Sequence, residues 1–168
     1  VKATFEEDLA YLIEEDNNYG CYCSRPLKYG HGGATVQDIQ DEIGTVLSTR
    51  YHRADYALIN LGANNITGSD DWTAFENDYL YIIDAITTKW PFVQIYLALV
   101  WVRNYETRCN IINTHILNVI AQRSNVHQGF DERIWLEGGD DGATMTSDGV
   151  HYSAAGNAFL QVLNDHEN

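Results

Sequence analysis

Basic residues are scarce in this chain. Ten Lys and Arg stand against 24 Asp and Glu, a formal net charge of -14 over 168 residues. The acid is spread along the chain, and no basic cluster offsets it. Such a surface repels phosphate backbones and anionic lipid, which argues against nucleic acid or membrane and for a neutral partner. No apolar run is long enough to span a bilayer. No basic segment followed by an apolar core opens the chain, so no signal peptide is visible. The first residue is Val1 rather than Met, and the expectation is a chain processed, truncated or excised from something longer.

Cysteine is sparse too: Cys21, Cys23 and Cys109. An odd count argues against a full disulfide framework. Cys21 and Cys23 are too close to bridge each other easily. Either could pair with Cys109, but three free thiols is the reading preferred. Zinc needs more ligands at better spacing. Asp140 and Asp141, beside Gly139 and Gly142, lack the alternating spacing of a calcium loop. No metal and no cofactor is expected. Repeats and low-complexity stretches are absent. No Gly-rich phosphate loop follows a strand, which disfavours a nucleotide- or flavin-binding domain. Asn65-Ile66-Thr67 matches the N-glycosylation pattern, but a sugar there would crowd the loop described next, so the match reads as chance.

What is present suits one domain over residues 1–168, with 45% hydrophobic residues for a single core. Phe5, Leu9, Leu12 and Ile13 mark a helix over 2–15. A short extended piece around Pro26 to Tyr29 leads into the turn Gly30-His31-Gly32-Gly33-Ala34, where His31 reads as a loop residue. Thr35 is a candidate N-cap for a helix with Val36, Ile39, Ile43, Val46 and Leu47 as its stripe. Residues 56–61 form a nearly continuous apolar run that predicts a strand buried on both faces. Phe75, Tyr79, Ile82, Ile83 and Ile86 predict a helix ending before Pro91. A second strand is predicted over 92–102, and a helix over 105–124 with Ile112, Ile116, Val119 and Ile120 inward. Residues 125–130 and 133–136 read as short extended pieces, 140–149 as an acidic loop, and 153–164 as a final helix. Trp72, Trp90, Trp101 and Trp135 read mostly as core.

Helices alternating with buried strands imply an α/β fold, a three-layer sandwich with a parallel sheet. Chemistry in such folds gathers at the carboxyl ends of the strands. Three short segments fall at such places. Gly32-Gly33-Ala34-Thr35 opens a helix, Gly62-Ala63-Asn64-Asn65 follows a buried strand, and Asp148-Gly149-Val150-His151 precedes the last helix. Trp101 and Arg103 follow the second strand and are candidates to line a substrate cleft.

In that order and setting the three segments resemble the SGNH (GDSL-like) hydrolase superfamily of esterases and lipases, over nearly the whole chain. The resemblance implies a flavodoxin-like sandwich and a cofactor-free Ser-His-Asp triad. His151 matches the general base and Asp148 the residue that orients it. Gly33 matches the backbone donor of the oxyanion hole, and Asn64 the side-chain donor. Asn65 stands where the family usually has Asp, a position that supports the loop. The physical logic agrees: an imidazole takes the serine proton, a carboxylate holds its tautomer, and two N–H donors meet the developing oxyanion.

The family's first block, Gly-Asp-Ser at the end of a central strand, has no counterpart. Ser24, Ser48, Ser69, Ser124, Ser147 and Ser153 neither follow a buried strand nor occupy that place in the order. A parallel sheet without its central strand exposes unpaired backbone and splits the core. The expectation is therefore a first strand and a serine supplied from outside residues 1–168, by an N-terminal segment that completes the sheet. The function expected is ester hydrolysis, with a neutral ester or acylated carbohydrate as substrate. The alternative is a catalytically inactive binding or structural module of the same fold in a larger extracellular or virion assembly, and such a location is the one expected.

Overall fold

The computed structural model describes residues 29–49, 53–68 and 70–133. The predicted helices over 2–15 and 153–164, the loop 140–149 and most of the extended pieces at 26–29 and 133–136 lie outside these residues. Contacts group the chain into two compact units, Val1–Gly32 with Ala143–Asn168, and Gly33–Gly142. The architecture below belongs to the second unit.

Helix α1 (Val36–Ser48) starts at Thr35 for a local reason. The Thr35 hydroxyl accepts from Asp38 N, and the Asp38 carboxylate accepts from Thr35 N at 2.8 Å. This reciprocal box satisfies two donors that a helix start otherwise leaves open. Val36, Ile39, Ile43 and Leu47 of the predicted stripe are buried, and Val46 is half-buried. Helix α2 (Trp72–Lys89) starts at Asp71, whose carboxylate accepts from Ala74 N at 2.9 Å. It ends at Trp90, just before Pro91, and buries Phe75, Tyr79, Ile82, Ile83 and Ile86. Helix α3 (Glu106–Ala121) buries Cys109, Ile112, Ile116 and Val119. Each fully buried Ile contributes about 1.5–3 kcal/mol of transfer free energy, so these stripes carry most of the cohesion.

Strands β1 (Tyr56–Ile59), β2 (Gln94–Leu99) and β3 (Val126–Asp131) form a parallel sheet in the order β1-β2-β3. Tyr56 pairs with Gln94 and Ile59 with Leu97. Helices α2 and α3 are the two crossovers, and they pack on each other through Trp72 and His115. Two successive crossovers of one hand in a sequential sheet must share a face. The chain is thus an α/β protein with a parallel sheet flanked by helices, consistent with a flavodoxin-like fold.

Two strand expectations are corrected. Strand β1 is not buried on both faces: Ile59 is buried, but Tyr56 and Leu58 are 72% and 62% exposed. Among the described residues β1 pairs with β2 alone. Strand β2 is shorter than 92–102, yet Val100, Trp101 and Val102 remain buried after it ends. There their backbone N–H groups donate to the side chains of Asn113, Glu132 and Cys109. Between β2 and β3 the register shifts: Leu97 faces Gln128, but Leu99 faces Asp131. The extra residue on β3 is a bulge, a device that re-aims the side chains beyond it.

Candidate active site

The loop after β1 is built on Gly62, whose φ is 114°. A Cβ there would lie 3.2 Å from Ile112 Cγ2 and 3.6 Å from Val100 Cγ1. The positive φ favours glycine, and any Cβ there would press on Ile112. The turn it makes opens a 3-10 helix, Ala63–Thr67. Gly62 O accepts from Asn65 N at 2.9 Å, and Asn65 O from Gly68 N at 3.1 Å. The buried Tyr79 hydroxyl donates to Leu61 O at 2.9 Å, which fixes the entry to the turn. Burial pushes the Tyr79 phenol well up from its usual range, against the smaller pull of that hydrogen bond.

Two asparagines then reach from this helix to the turn that opens α1. Asn64 Nδ2 donates to Ala34 O at 2.8 Å. Asn65 Oδ1 accepts from Val36 N at 3.2 Å. Gly33, with φ 82°, sits directly before Ala34, in open space on its Cβ side. The glycine turn and the Asn64 amide are therefore pinned together across 30 residues of sequence. An amide nitrogen carries two N–H groups. One of Asn64's is used on Ala34 O. Asn65 uses the amide oxygen where the resembled family carries a carboxylate, and that oxygen holds the start of α1.

The loop after β2 is held differently. Asn113 of α3 grips Val100 from both sides: Val100 N donates to its Oδ1 at 2.8 Å, and its Nδ2 donates to Val100 O at 3.0 Å. Val102 N donates to Cys109 Sγ at 3.2 Å. Cys109 is a buried free thiol, as expected for this cysteine. Burial pushes that thiol up, against smaller pulls from Val102 and Arg133, so thiolate chemistry is disfavoured. Glu132, 5% exposed just past the β3 bulge, accepts from Trp101 N at 2.9 Å and from Asn60 Nδ2 at 2.8 Å. One carboxylate thus ties the carboxyl ends of all three strands.

On the helical side, Arg108 of α3 donates to Ile66 O at 3.1 Å and Gly68 O at 3.0 Å, and pairs with Asp70. Its guanidinium lies 4.6 Å over the Trp72 ring, and Trp72 stacks on His115 at 4.8 Å and 7°. His115 Nδ1 meets Glu76 Oε1 at 2.6 Å. Burial alone would raise the Glu76 carboxyl, but hydrogen bonds from Asn118 and His115 and the His115 charge outweigh it and hold it below its usual value.

Of the residues singled out by sequence, Gly33 and Asn64 come together at the strand ends. Trp101 is 4% exposed, with its backbone held by Glu132, and Arg103 is half-buried in the turn after it. Asp148 and His151 lie outside the described residues. Sequence reasoning missed Asn113, Glu132, Arg108 and Asn60. Asn60 did carry a signal, as the one polar residue in an otherwise apolar run. The other three had none, because their partners lie 13 to 72 residues away in sequence. Trp72, read as core, is instead the middle layer of a half-buried stack. Among the described residues no group of His, Cys, Asp or Glu is placed to hold a metal ion, and no helix is long and apolar enough to cross a membrane.

Fold and strand-end loops together define a flavodoxin-like α/β protein whose candidate turns sit at the carboxyl edge of a parallel sheet. The chain belongs to the GDSL-like lipase/acylhydrolase family, whose model matches residues 9–159. It is similar in structure to a carbohydrate esterase family 3 protein from Talaromyces cellulolyticus, with 20% identity, a TM-score of 0.57, and coverage of 86% of this chain and 78% of that one. A putative platelet activating factor from Streptococcus pneumonia shares 18% identity at TM-score 0.65, over 80% of this chain and 68% of its own. An acetyl esterase mutant with an acetate ion shares 21% at TM-score 0.61, over 86% and 78%. At these identities the likeness is one of fold. A comparison with curated proteins finds no match.

Proposed function

We propose that this chain carries the oxyanion donors and the acid–base pair of a serine ester hydrolase, whose nucleophile comes from a segment outside residues 1–168. The observation that carries the reading is the 2.8 Å bond from Asn64 Nδ2 to Ala34 O, which joins the Gly33 turn to a side-chain amide at the strand ends. In this reading the serine hydroxyl attacks the ester carbonyl while His151 takes its proton. Asp148 holds the imidazole tautomer and stabilises the imidazolium. Gly33 N–H and the second N–H of Asn64 meet the oxyanion. Collapse releases the alcohol, with the proton returned from His151, and leaves an acyl-serine. Water, activated by His151, then hydrolyses it.

Three further facts favour this reading. The sequence holds no Gly-Asp-Ser segment. Among the described residues the outer edge of β1 has no partner strand, and Leu58 is 62% exposed beside it. An N-terminal segment ending in the serine would pair with that edge and place its hydroxyl at the carboxyl end of the sheet. The strongly acidic surface favours a neutral ester. An acetyl group on a carbohydrate is the substrate class favoured, in line with the carbohydrate esterase and acetyl esterase of similar fold. Arg103 would line the substrate cleft, whereas Trp101 is buried.

The absence of a Gly-Asp-Ser segment also suits an inactive binding module. Labelling the full-length protein with a fluorophosphonate separates the two. The expected result is one modified serine outside residues 1–168, and no labelling in His151→Ala. A folded full-length protein that stays unlabelled would exclude the esterase and leave the module.

A further inference from the structure

We infer that Arg108 is a positioning residue for Asn64, acting through the carbonyls that close the 3-10 helix on which Asn64 sits. The inference rests on the reading of Asn64 as an oxyanion donor.

A 3-10 helix of five residues has little internal stability, and its last carbonyls have no partner within it. Here Arg108 supplies the partners. Its Nε and one terminal nitrogen meet Ile66 O and Gly68 O at 3.1 and 3.0 Å, and the other terminal nitrogen pairs with Asp70. Ile66 is two residues beyond Asn64 in the same short helix, and it is buried. A shift of these carbonyls therefore moves the Asn64 backbone with little slack.

The guanidinium is itself fixed. Its side chain is 20% exposed, and its plane lies over Trp72, which is backed by His115 and Glu76. A planar fork can satisfy several acceptors and stack at once, whereas an ammonium cannot do both. Charge-assisted bonds of this kind are about twice as strong as neutral ones. The arginine stands on α3, the helix whose Cys109 and Asn113 hold the loop after β2. One rigid element thus sets the position of both strand-end loops. Precision matters because a misplacement of about 1 Å can cost about 100-fold in rate.

The test is a mutant cycle on the full-length protein, with an acetate ester as substrate, well below the melting temperature. Arg108→Gln is expected to lower kcat about 10-fold with KM changed less than about 2-fold. In an Asn64→Ala background the same change should cost less than about 2-fold, because the donor it positions is gone. An unchanged kcat overturns the proposal. So does an equal loss in both backgrounds, which would leave the oxyanion reading standing. If Asn64→Ala alone leaves kcat intact, the oxyanion reading fails and the role of Arg108 fails with it. Arg108→Lys, which keeps the charge, covers the case in which the Gln variant does not fold. Hydrogen exchange at the Asn65 and Gly68 amides should speed up in this variant while Ile95 and Leu97 in β2 stay protected. Uniform acceleration, or none, overturns the proposal.

Discussion

The loops after β1 and β2 leave the same edge of the same sheet, yet they are held in opposite ways. After β2, the backbone of Val100 to Val102 is buried, and its polar groups are answered by Asn113, Glu132 and Cys109. Those partners turn inward. After β1, the loop lies closer to solvent, its carbonyls are gripped from one side by Arg108 and Tyr79, and its asparagines reach outward to the Gly33 turn. The first arrangement is a foundation. The second is a platform, joined by its asparagines to the turn that opens α1. Function in such folds belongs to loops that a rigid scaffold positions, and the contrast shows which loop is scaffold here.

Removing the scaffold should have the largest effect. Asn113→Ala strips both partners from the buried backbone of Val100. At about 1–3 kcal/mol for each of the two orphaned groups, it should cost about 2–6 kcal/mol, read as a lower melting temperature and denaturation midpoint. An unchanged midpoint would mean the loop after β2 is not the more firmly held of the two.

Next is the platform's own turn. Gly62→Ala meets a positive φ and a contact at 3.2 Å with Ile112. It should destabilise by about 1–3 kcal/mol. Gly33→Ala shares the positive φ but has open space, so about 1 kcal/mol is expected there. Equal losses in chemical denaturation would show that packing against α3 does not distinguish the two turns.

The smallest effect is electrostatic. The Glu76 carboxyl is held below its ordinary value of 4.5. A group whose folded pKa is depressed stabilises at pH above the unfolded value, and that contribution is lost as pH falls through the folded one. The wild type should therefore lose stability below about pH 4.5. Glu76→Gln should flatten that acid limb by under about 1 kcal/mol, because the pair lies near solvent. A parallel acid limb in both proteins would show that the stack behind Arg108 gains nothing from this charge.

Much of this architecture was readable from residue order alone. The stripe of α2 and the cap at Thr35 are local: each depends on residues three or four apart, and the helix period writes them directly into the chain. Alternation of helices with apolar runs was enough for a parallel α/β sheet. The three short segments were enough for the family, since their order survives where identity does not. The exposure of β1 was not readable, because an apolar run carries no mark of which side lacks a neighbour. Nor was the bulge before Glu132, which depends on how two strands slide past each other.

The pairing at the candidate site was likewise a matter of tertiary structure. Sequence could nominate Gly33 and Asn64 separately, as a turn glycine and a loop amide. That Asn64 holds the carbonyl next to Gly33, and that Arg108 holds the helix carrying Asn64, depends on contacts spanning 30 and 42 residues. Local chemistry chose the residue types and the secondary structure. Packing of α3 against the strand ends decided where those residues meet, because only a folded core can bring distant polar groups within hydrogen-bond reach.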